Sequence, residues 1–144
     1  MFLFLALVLL ASCSSDDSVD DNPILQNDPP IILDCDYFKE DRILTKNPNA
    51  AVDYIITCVM LAQADIKIEP GVVIEFEENA GIQIDDFNVT KASLVAKGTE
   101  EKPIIFRGKV SSKGYWKGIL FDTGSIKNEL DHVQIHHAGG QSFN

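Results

Sequence analysis

The sequence lacks the patterns that define several common fold classes. No stretch keeps apolar residues at helical spacing for long enough to predict a buried helix. No Asn-Gly or Asp-Gly pair is present, so the two-residue hairpins of an antiparallel sandwich are not indicated. The apolar segments after residue 64 follow one another too closely for intervening helices, which excludes doubly wound α/β folds.

Several chemical signatures are missing as well. The 144 residues contain no phosphate-cradling glycine loop, no Gly-x-Ser-x-Gly elbow and no Cys-x-x-Cys pair. After residue 12 there is no apolar run long enough to span a bilayer. Basic residues number 12 against 22 acidic ones, which gives a net charge of −10. An anionic chain without a basic patch argues against nucleic acid as a partner.

The acidic residues are concentrated near the N-terminus. Seven aspartates and no lysine or arginine lie between Cys13 and Phe38, whereas from Lys39 onward 15 acidic residues face 12 basic ones. Low hydrophobicity and like charge keep such a segment extended, so we predict an acidic disordered tether over residues 13–30. The hydrophobic content of 45% is sufficient for one folded domain behind it.

An apolar leader precedes the tether. Residues 1–10 are all apolar, which is too short to cross a bilayer but suits the core of a signal peptide. The following Leu10-Ala11-Ser12-Cys13 resembles a bacterial lipobox, whose cysteine is acylated, although no basic residue precedes the apolar run. This resemblance implies a signal peptide over residues 1–12 and a lipid on Cys13 as the membrane anchor. The acidic segment Ser14 to Pro23 resembles the export tether that directs lipoproteins of Bacteroidota to the outer cell surface, which implies a place on the outer membrane facing the cell exterior. The alternative is a stray apolar terminus with an inert Cys13.

The other two cysteines are Cys35 and Cys58. In an oxidising compartment a disulfide between them would stabilise the fold by about 3 kcal/mol on the chain-entropy model. The alternative is two buried free thiols. Because acylation of Cys13 accounts for the odd cysteine, we predict the Cys35–Cys58 disulfide.

Short apolar segments recur between Asp65 and Ala138. Several alternate, as Ile66 and Ile68 do around Lys67, which is the period of a strand with one buried face. The segments cover residues 66–68, 72–76, 81–84, 94–96, 103–106, 118–121 and 130–135. Coils of three short strands that turn in one direction satisfy this spacing, and such coils bury a shared core only when stacked. The sequence therefore predicts an all-β parallel β-helix, a solenoid of about three coils at a period in the low twenties.

The predicted coils occupy residues 65–144. Residues 31–64 are expected to form an N-terminal cap and a first buried strand over Val52–Leu61, with a short helix or a turn over Tyr37–Leu44. The chain stops at residues 139–144 without a polar cap, so we expect further coils beyond it. The alternative is an open edge that pairs with a partner.

The order of the motifs resembles a known family. These are Ile68-Glu69-Pro70-Gly71-Val72-Val73-Ile74-Glu75-Phe76, Ala80-Gly81-Ile82, Leu94 to Thr99, Lys102 to Phe106, Gly114 to Ile119 and Leu130 to Gly139. The series is similar to the right-handed parallel β-helix repeat lipoproteins of Bacteroidota over about half the chain. The resemblance implies right-handed coils. It implies little about activity, because β-helices serve as lyases, glycosidases, adhesins and inert scaffolds alike.

Four residues define a candidate ligand face. Glu75 and Asp85, if they lie outward on neighbouring coils, could hold a calcium ion, although outward carboxylates are usually only solvated. Arg107 is the only arginine of the repeats and would have to serve a polysaccharide lyase as its base without visible activation. Trp116 could stack on a sugar ring, or it packs over a coil corner. No catalytic residue is assigned.

The histidines do not predict a metal site. If His132 and His136 share one strand, they stand about 13 Å apart, beyond the span of a single ion. His136 and His137 are adjacent and would point to opposite faces of the strand. Structural or exposed roles are expected for all three.

Three functions remain open. The first is a lipid-anchored surface β-helix that presents a rigid face to glycan or another surface ligand, without catalysis in the region seen. The alternative is a carbohydrate-active enzyme, a polysaccharide lyase or glycosidase, with its site on coils beyond residue 144 or on the face of Glu75, Asp85 and Arg107. The third is a passive spacer.

Overall fold

A computed structural model describes residues 27–87, 89 and 91–143. The predicted signal peptide, the lipidation site Cys13 and most of the predicted tether lie outside the described residues. Twelve strands and one short 3₁₀ helix, Tyr37–Lys39, make up the regular structure of the described part. The strands are β1 Ile31–Leu33, β2 Arg42–Leu44, β3 Tyr54–Ile56, β4 Val59–Ala62, β5 Asp65–Ile68, β6 Val73–Phe76, β7 Gly81–Asp85, β8 Ser93–Lys97, β9 Ile104–Gly108, β10 Gly118–Asp122, β11 Glu129–Asp131 and β12 Val133–His136.

The strands form three sheets in which every pairing is parallel. Sheet 1 has the order β1-β3-β6-β9-β12, sheet 2 the order β4-β7-β10, and sheet 3 the order β2-β5-β8-β11. From β3 to β11 the chain visits the sheets in turn, 1, 2, 3, and each strand pairs with its counterpart one coil later. The predicted all-β class is confirmed, and the three parallel sheets are consistent with a β-helix solenoid.

The coils are unequal in length. Tyr54 pairs with Ile74, 20 residues later, whereas Gly81 pairs with Gly118, 37 residues later. The expected period in the low twenties therefore describes only the first coils. The later coils are longer because loops, among them residues 86–92 and 109–117, lie between their strands.

Residues 31–64 already contribute to the stack. Strands β1 and β2 pair with β3 and β5, so the coils begin well before residue 65. The single strand expected over Val52–Leu61 is two strands, β3 and β4, because the chain turns from sheet 1 to sheet 2 at residues 57–58. The segment 130–135 is likewise divided, at His132, whose φ of 47° makes a corner.

Alternate residues of each strand fill the interior. Tyr54, Ile74 and Phe106 pair in successive coils of sheet 1 and are all buried. Their equivalents in the other sheets form similar inward rows, such as Met60 and Ile82 in sheet 2. Neighbouring coils are thus packed at the spacing of adjacent strands, about 4.8 Å. The apolar residues of one coil are therefore buried by contact with those of the neighbouring coils.

Asp53 is a buried carboxylate at the start of β3. Its side chain accepts hydrogen bonds from the backbone N–H of Val73 at 2.7 Å and of Asn47 at 2.8 Å. Lys46 adds an ion pair at 3.1 Å. Asp53 therefore connects the loop after β2 to β6 of the next coil. Its charge is compensated by these two N–H groups and by the Lys46 ammonium.

The disulfide between Cys35 and Cys58 is present, with its Cα atoms 6.1 Å apart. It joins the turn after β1 to the corner between β3 and β4, so it ties the first coil to the second. The predicted pairing is confirmed.

The two ends of the stack differ in how they are covered. At the first coil Leu33, Phe38 and Leu44 are at most 3% exposed. At the last coil the inward residues Phe121 and Ile135 are 38% and 46% exposed, because no strand of the described part lies beyond β10 and β12. The first coil is covered at Leu33, Phe38 and Leu44 but exposes Ile31, which pairs with Tyr54 and is 59% exposed, and the last coil presents an apolar surface at Phe121 and Ile135.

Candidate functional site

A row of charged side chains runs up the outer face of sheet 1. Strand register pairs Glu75 with Arg107, and Arg107 with His136, so the three occupy the same position in successive coils. Their neighbours along each strand, such as Ile74 and Phe106, point into the core. Arg107 donates from Nε to one oxygen of Glu75 at 3.0 Å, and its Nη2 lies 2.8 Å from the same oxygen as an ion pair. The structure thus brings together two of the predicted ligand-face residues, as an ion pair.

A second cross-coil pair lies just past the ends of β6 and β9. Lys109 Nζ donates to Glu77 Oε1 at 2.5 Å. This hydrogen bond, assisted by the charge of Glu77, raises the pKa of Lys109. Lys109 therefore stays cationic beside Arg107 at neutral pH.

These side chains surround an open cavity of about 410 Å³, which we name the Arg107 cavity. Ile105 supplies apolar surface to it. The polar groups that line it are Glu75, Arg107, Lys109, Ser111, His136 and His137. The residues come from three coils, so the cavity exists only because the coils stack in register.

His136 and His137 both line the Arg107 cavity. Their rings lie 6.0 Å apart and are tilted by 45°. They do not take opposite faces of a strand as expected, because β12 ends at His136 and His137 turns the chain with a φ of 66°. His137 Nδ1 is buried and has no hydrogen-bond partner among the described residues. His132 does not share a strand with His136 but lies between β11 and β12, with Nδ1 2.8 Å from Asp131.

Trp116 lies in the core behind the cavity. Its side chain is fully buried and stacks on Phe76, with ring centroids 3.9 Å apart and an interplanar angle of 11°. Its Nε1 donates to the backbone carbonyl of His136 at 2.7 Å. Trp116 therefore has no exposed ring for a sugar. It fixes the backbone that carries the two histidines.

Asp85 is not near the other predicted ligands in the fold. It lies on β7 of sheet 2, whereas Glu75 lies on β6 of sheet 1, and its Oδ1 accepts a hydrogen bond from the N–H of Phe87 at 2.7 Å. Glu75 and Asp85 belong to one coil and not to neighbouring coils. They therefore do not form the cross-coil carboxylate pair that the calcium hypothesis required. Within the described residues no group of three or more His, Cys, Asp or Glu side chains is arranged to hold a metal ion.

A polar row also crosses the coils at the start of the sheet 3 strands. Asp65 accepts hydrogen bonds from Ser93 at 2.8 Å and from Lys127 at 3.0 Å, and its N–H donates to Asp41 at 3.0 Å. The bonds from Ser93 and then Lys127 lower the pKa of Asp65. Lys91 also pairs with Asp41. Because these side chains satisfy one another, the row acts as a connection between coils.

Sequence reasoning missed Lys109, Ser111, His136 and His137 as one group. The signal that could have found them is the match of Ile104-Ile105-Phe106-Arg107 with Val133-Gln134-Ile135-His136, which share the same inward and outward alternation. Aligning the two segments places His136 beside Arg107.

Comparison of the chain with protein-family models, with curated proteins and with solved structures gave no match. In the described part of the chain, no helix has the length and apolar character needed to cross a membrane. Function is therefore inferred from the geometry of the cavity and from the sequence.

Proposed function

We propose that this chain is a lipid-anchored β-helix protein of the outer membrane that displays the outer face of sheet 1 to a glycan or another surface ligand, without catalysis in the described part. The observation that carries the proposal is the Arg107 cavity. It is concave, mostly polar and built from three coils whose spacing is fixed by backbone pairing.

The walls of the cavity are preorganised for binding. Arg107 and Lys109 are each held by a carboxylate of the preceding coil, and the backbone of His136 is held by Trp116. A ligand would meet side chains that are already ordered, which lowers the entropic cost of binding.

The location rests on the leader. The Leu10-Ala11-Ser12-Cys13 motif and the acidic residues after it support export and acylation of Cys13.

The resemblance to right-handed β-helix lipoproteins of Bacteroidota and the usual right-handed crossover between parallel strands support a right-handed winding. The buried Phe38 supports the short 3₁₀ helix Tyr37–Lys39 as a cover over the first coil.

The enzymatic alternative has less support in the geometry. Glu75 and Arg107 are bound to each other, and Asp85 is on another sheet. A free pair of carboxylates across a groove, or an activated base, is what a glycosidase or a lyase would need. The cavity itself favours a binding role over a passive spacer.

The anchoring is tested with Cys13→Ala. In cells grown with radiolabelled palmitate, the natural chain should carry label and fractionate with the outer membrane, and the variant should lose both. Protease added to intact cells should degrade the natural chain if it faces the exterior. Retention of label in the variant would contradict acylation at Cys13.

The binding role is tested on a glycan array. The Cys13→Ala chain, purified without its lipid, should retain a subset of glycans, and Arg107→Gln added to it should reduce that retention. Chromatography of the bound glycans after incubation should recover them intact. Shortened products would contradict a non-catalytic role and favour the enzyme.

A further inference from the structure

Several hydrogen-bond donors of the Arg107 cavity have no acceptor in the described part of the chain. A guanidinium carries five N–H donors; Arg107 donates one of them, at Nε, to Glu75, and its Nη2 lies 2.8 Å from the same oxygen. An ammonium carries three, and one of those of Lys109 is bound to Glu77. Ser111 also lines the cavity, and the buried His137 Nδ1 has no hydrogen-bond partner within the described residues. A ligand that fits this surplus is rich in acceptors.

The cavity is locally balanced in charge. Its two cations, Arg107 and Lys109, are paired with the carboxylates of Glu75 and Glu77, whereas the chain as a whole carries a net charge of −10. At physiological ionic strength charges are screened beyond about 8 Å, so an anion that enters the cavity meets two cations and two carboxylates rather than the net charge of the chain. A guanidinium and an ammonium side by side favour a carboxylate, because hydrogen bonds between charged groups are the strong ones.

We propose that the Arg107 cavity binds the carboxylate of an acidic sugar, a uronic-acid residue of a glycan. This inference rests on the proposed function and names the ligand class of the same site. The volume of about 410 Å³ falls within the range of small-molecule pockets. The free oxygen of Glu75 can accept from ring hydroxyls, and the apolar surface of Ile105 can contact the C–H face of the ring. A glutamate peptide would use the cations, but it has no ring hydroxyls to donate to Glu75 and no C–H ring face to lie against Ile105.

The test is calorimetric titration of the purified Cys13→Ala chain at 0.15 M salt with three probes. Trigalacturonate is the acidic sugar, galactotriose is its neutral counterpart, and hexaglutamate is the acidic peptide. Trigalacturonate should bind at least about tenfold more tightly than the other two, because the neutral sugar loses a charge-assisted hydrogen bond. Arg107→Gln and Lys109→Gln should each weaken the affinity for trigalacturonate by at least about tenfold.

Lys97→Gln is the matched control. Lys97 forms a cross-coil pair with Glu129 on sheet 3, and its side chain is 53% exposed, close to the 51% of Lys109. Lys97→Gln and Lys109→Gln thus remove the same kind of pair, and only the second should weaken binding. His137→Asn removes the imidazole while keeping a residue that tolerates positive φ, and it should also weaken binding. Circular dichroism of each variant checks that the fold is retained.

The outcomes are distinguishable. Equal affinity for galactotriose and trigalacturonate, or equal weakening by Lys97→Gln, would overturn the inference and leave the proposed glycan binding standing. Hexaglutamate binding as tightly as trigalacturonate would overturn the sugar assignment in favour of an acidic peptide. Glycan binding on the array without any binding of trigalacturonate would refute the uronic-acid inference alone. No binding on the array and none in the titration would refute both that inference and the proposed glycan binding.

Discussion

Removal of the Asp53 carboxylate should destabilise the stack severely. Asp53→Ala leaves the N–H of Val73 without a partner at a site that is 9% exposed, which costs about 1–3 kcal/mol. The N–H of Asn47 also loses its acceptor, but nearer to solvent. The Lys46 side chain is 31% exposed, so water compensates for part of its lost ion pair. We expect a total loss of about 3 kcal/mol in the free energy of unfolding.

The assay is urea unfolding followed by circular dichroism and by Trp116 fluorescence. The midpoint should fall while the slope with denaturant stays constant, because the surface exposed on unfolding does not change. Asp34→Ala is the control. Asp34 also accepts a backbone N–H, from Asp36 at 2.9 Å, but at an exposed site, so its loss should stay within about 0.5 kcal/mol. A loss below about 1 kcal/mol for Asp53→Ala, or one equal to that of the control, would refute the reasoning.

Three further predictions concern the Cys35–Cys58 disulfide, the pH dependence of stability and the exposed last coil. Cys58→Ser should lower the free energy of unfolding by about 3 kcal/mol, because the disulfide closes a loop between cysteines 23 residues apart; urea unfolding with and without reductant measures it. The pKa of Asp65 is lowered from 3.8 in the fold, so its stabilisation is full above pH 3.8 and is lost as the pH falls through the folded pKa. Melting temperatures from pH 7 to pH 2 should therefore fall less steeply for Asp65→Asn than for the natural chain. Expressed alone, the 144 residues should self-associate in sedimentation velocity through the exposed last coil. Ile135→Lys should reduce this, whereas Phe87→Lys, at a loop residue 73% exposed, should not; equal effects would contradict it.

The strands were predictable because their alternation is local. The apolar pattern of residues 66–68 or 81–84 marks one buried face without any knowledge of the partner strand. Corners were harder, because an unbroken apolar run such as Val52–Leu61 has no glycine or proline at its turn. The corner after β5 is the opposite case, since Pro70 lacks a backbone N–H for the ladder and Gly71 adopts a φ of 83°, two residues that mark a turn in the sequence itself.

The candidate site was only partly predictable, because it depends on register between coils of unequal length. Glu75 and Arg107 were chosen by residue type, and their pairing across 32 residues follows from the loops between them. Trp116 was placed among ligands although its ring packs on Phe76, a contact that pattern alone does not reveal. Asp85 was grouped with Glu75 from nearness in sequence, but a corner separates them.

The unequal coils have a consequence for how this protein can be altered. Backbone pairing keeps the strands in step whether 20 or 37 residues separate paired positions. Loop segments that do not line the Arg107 cavity, such as residues 124–126 between β10 and β11, can therefore change in length and composition while the rows on the sheets stay in place. Tags, epitopes or whole peptides inserted at the tips of the long loops should be displayed at fixed intervals along the axis of the stack.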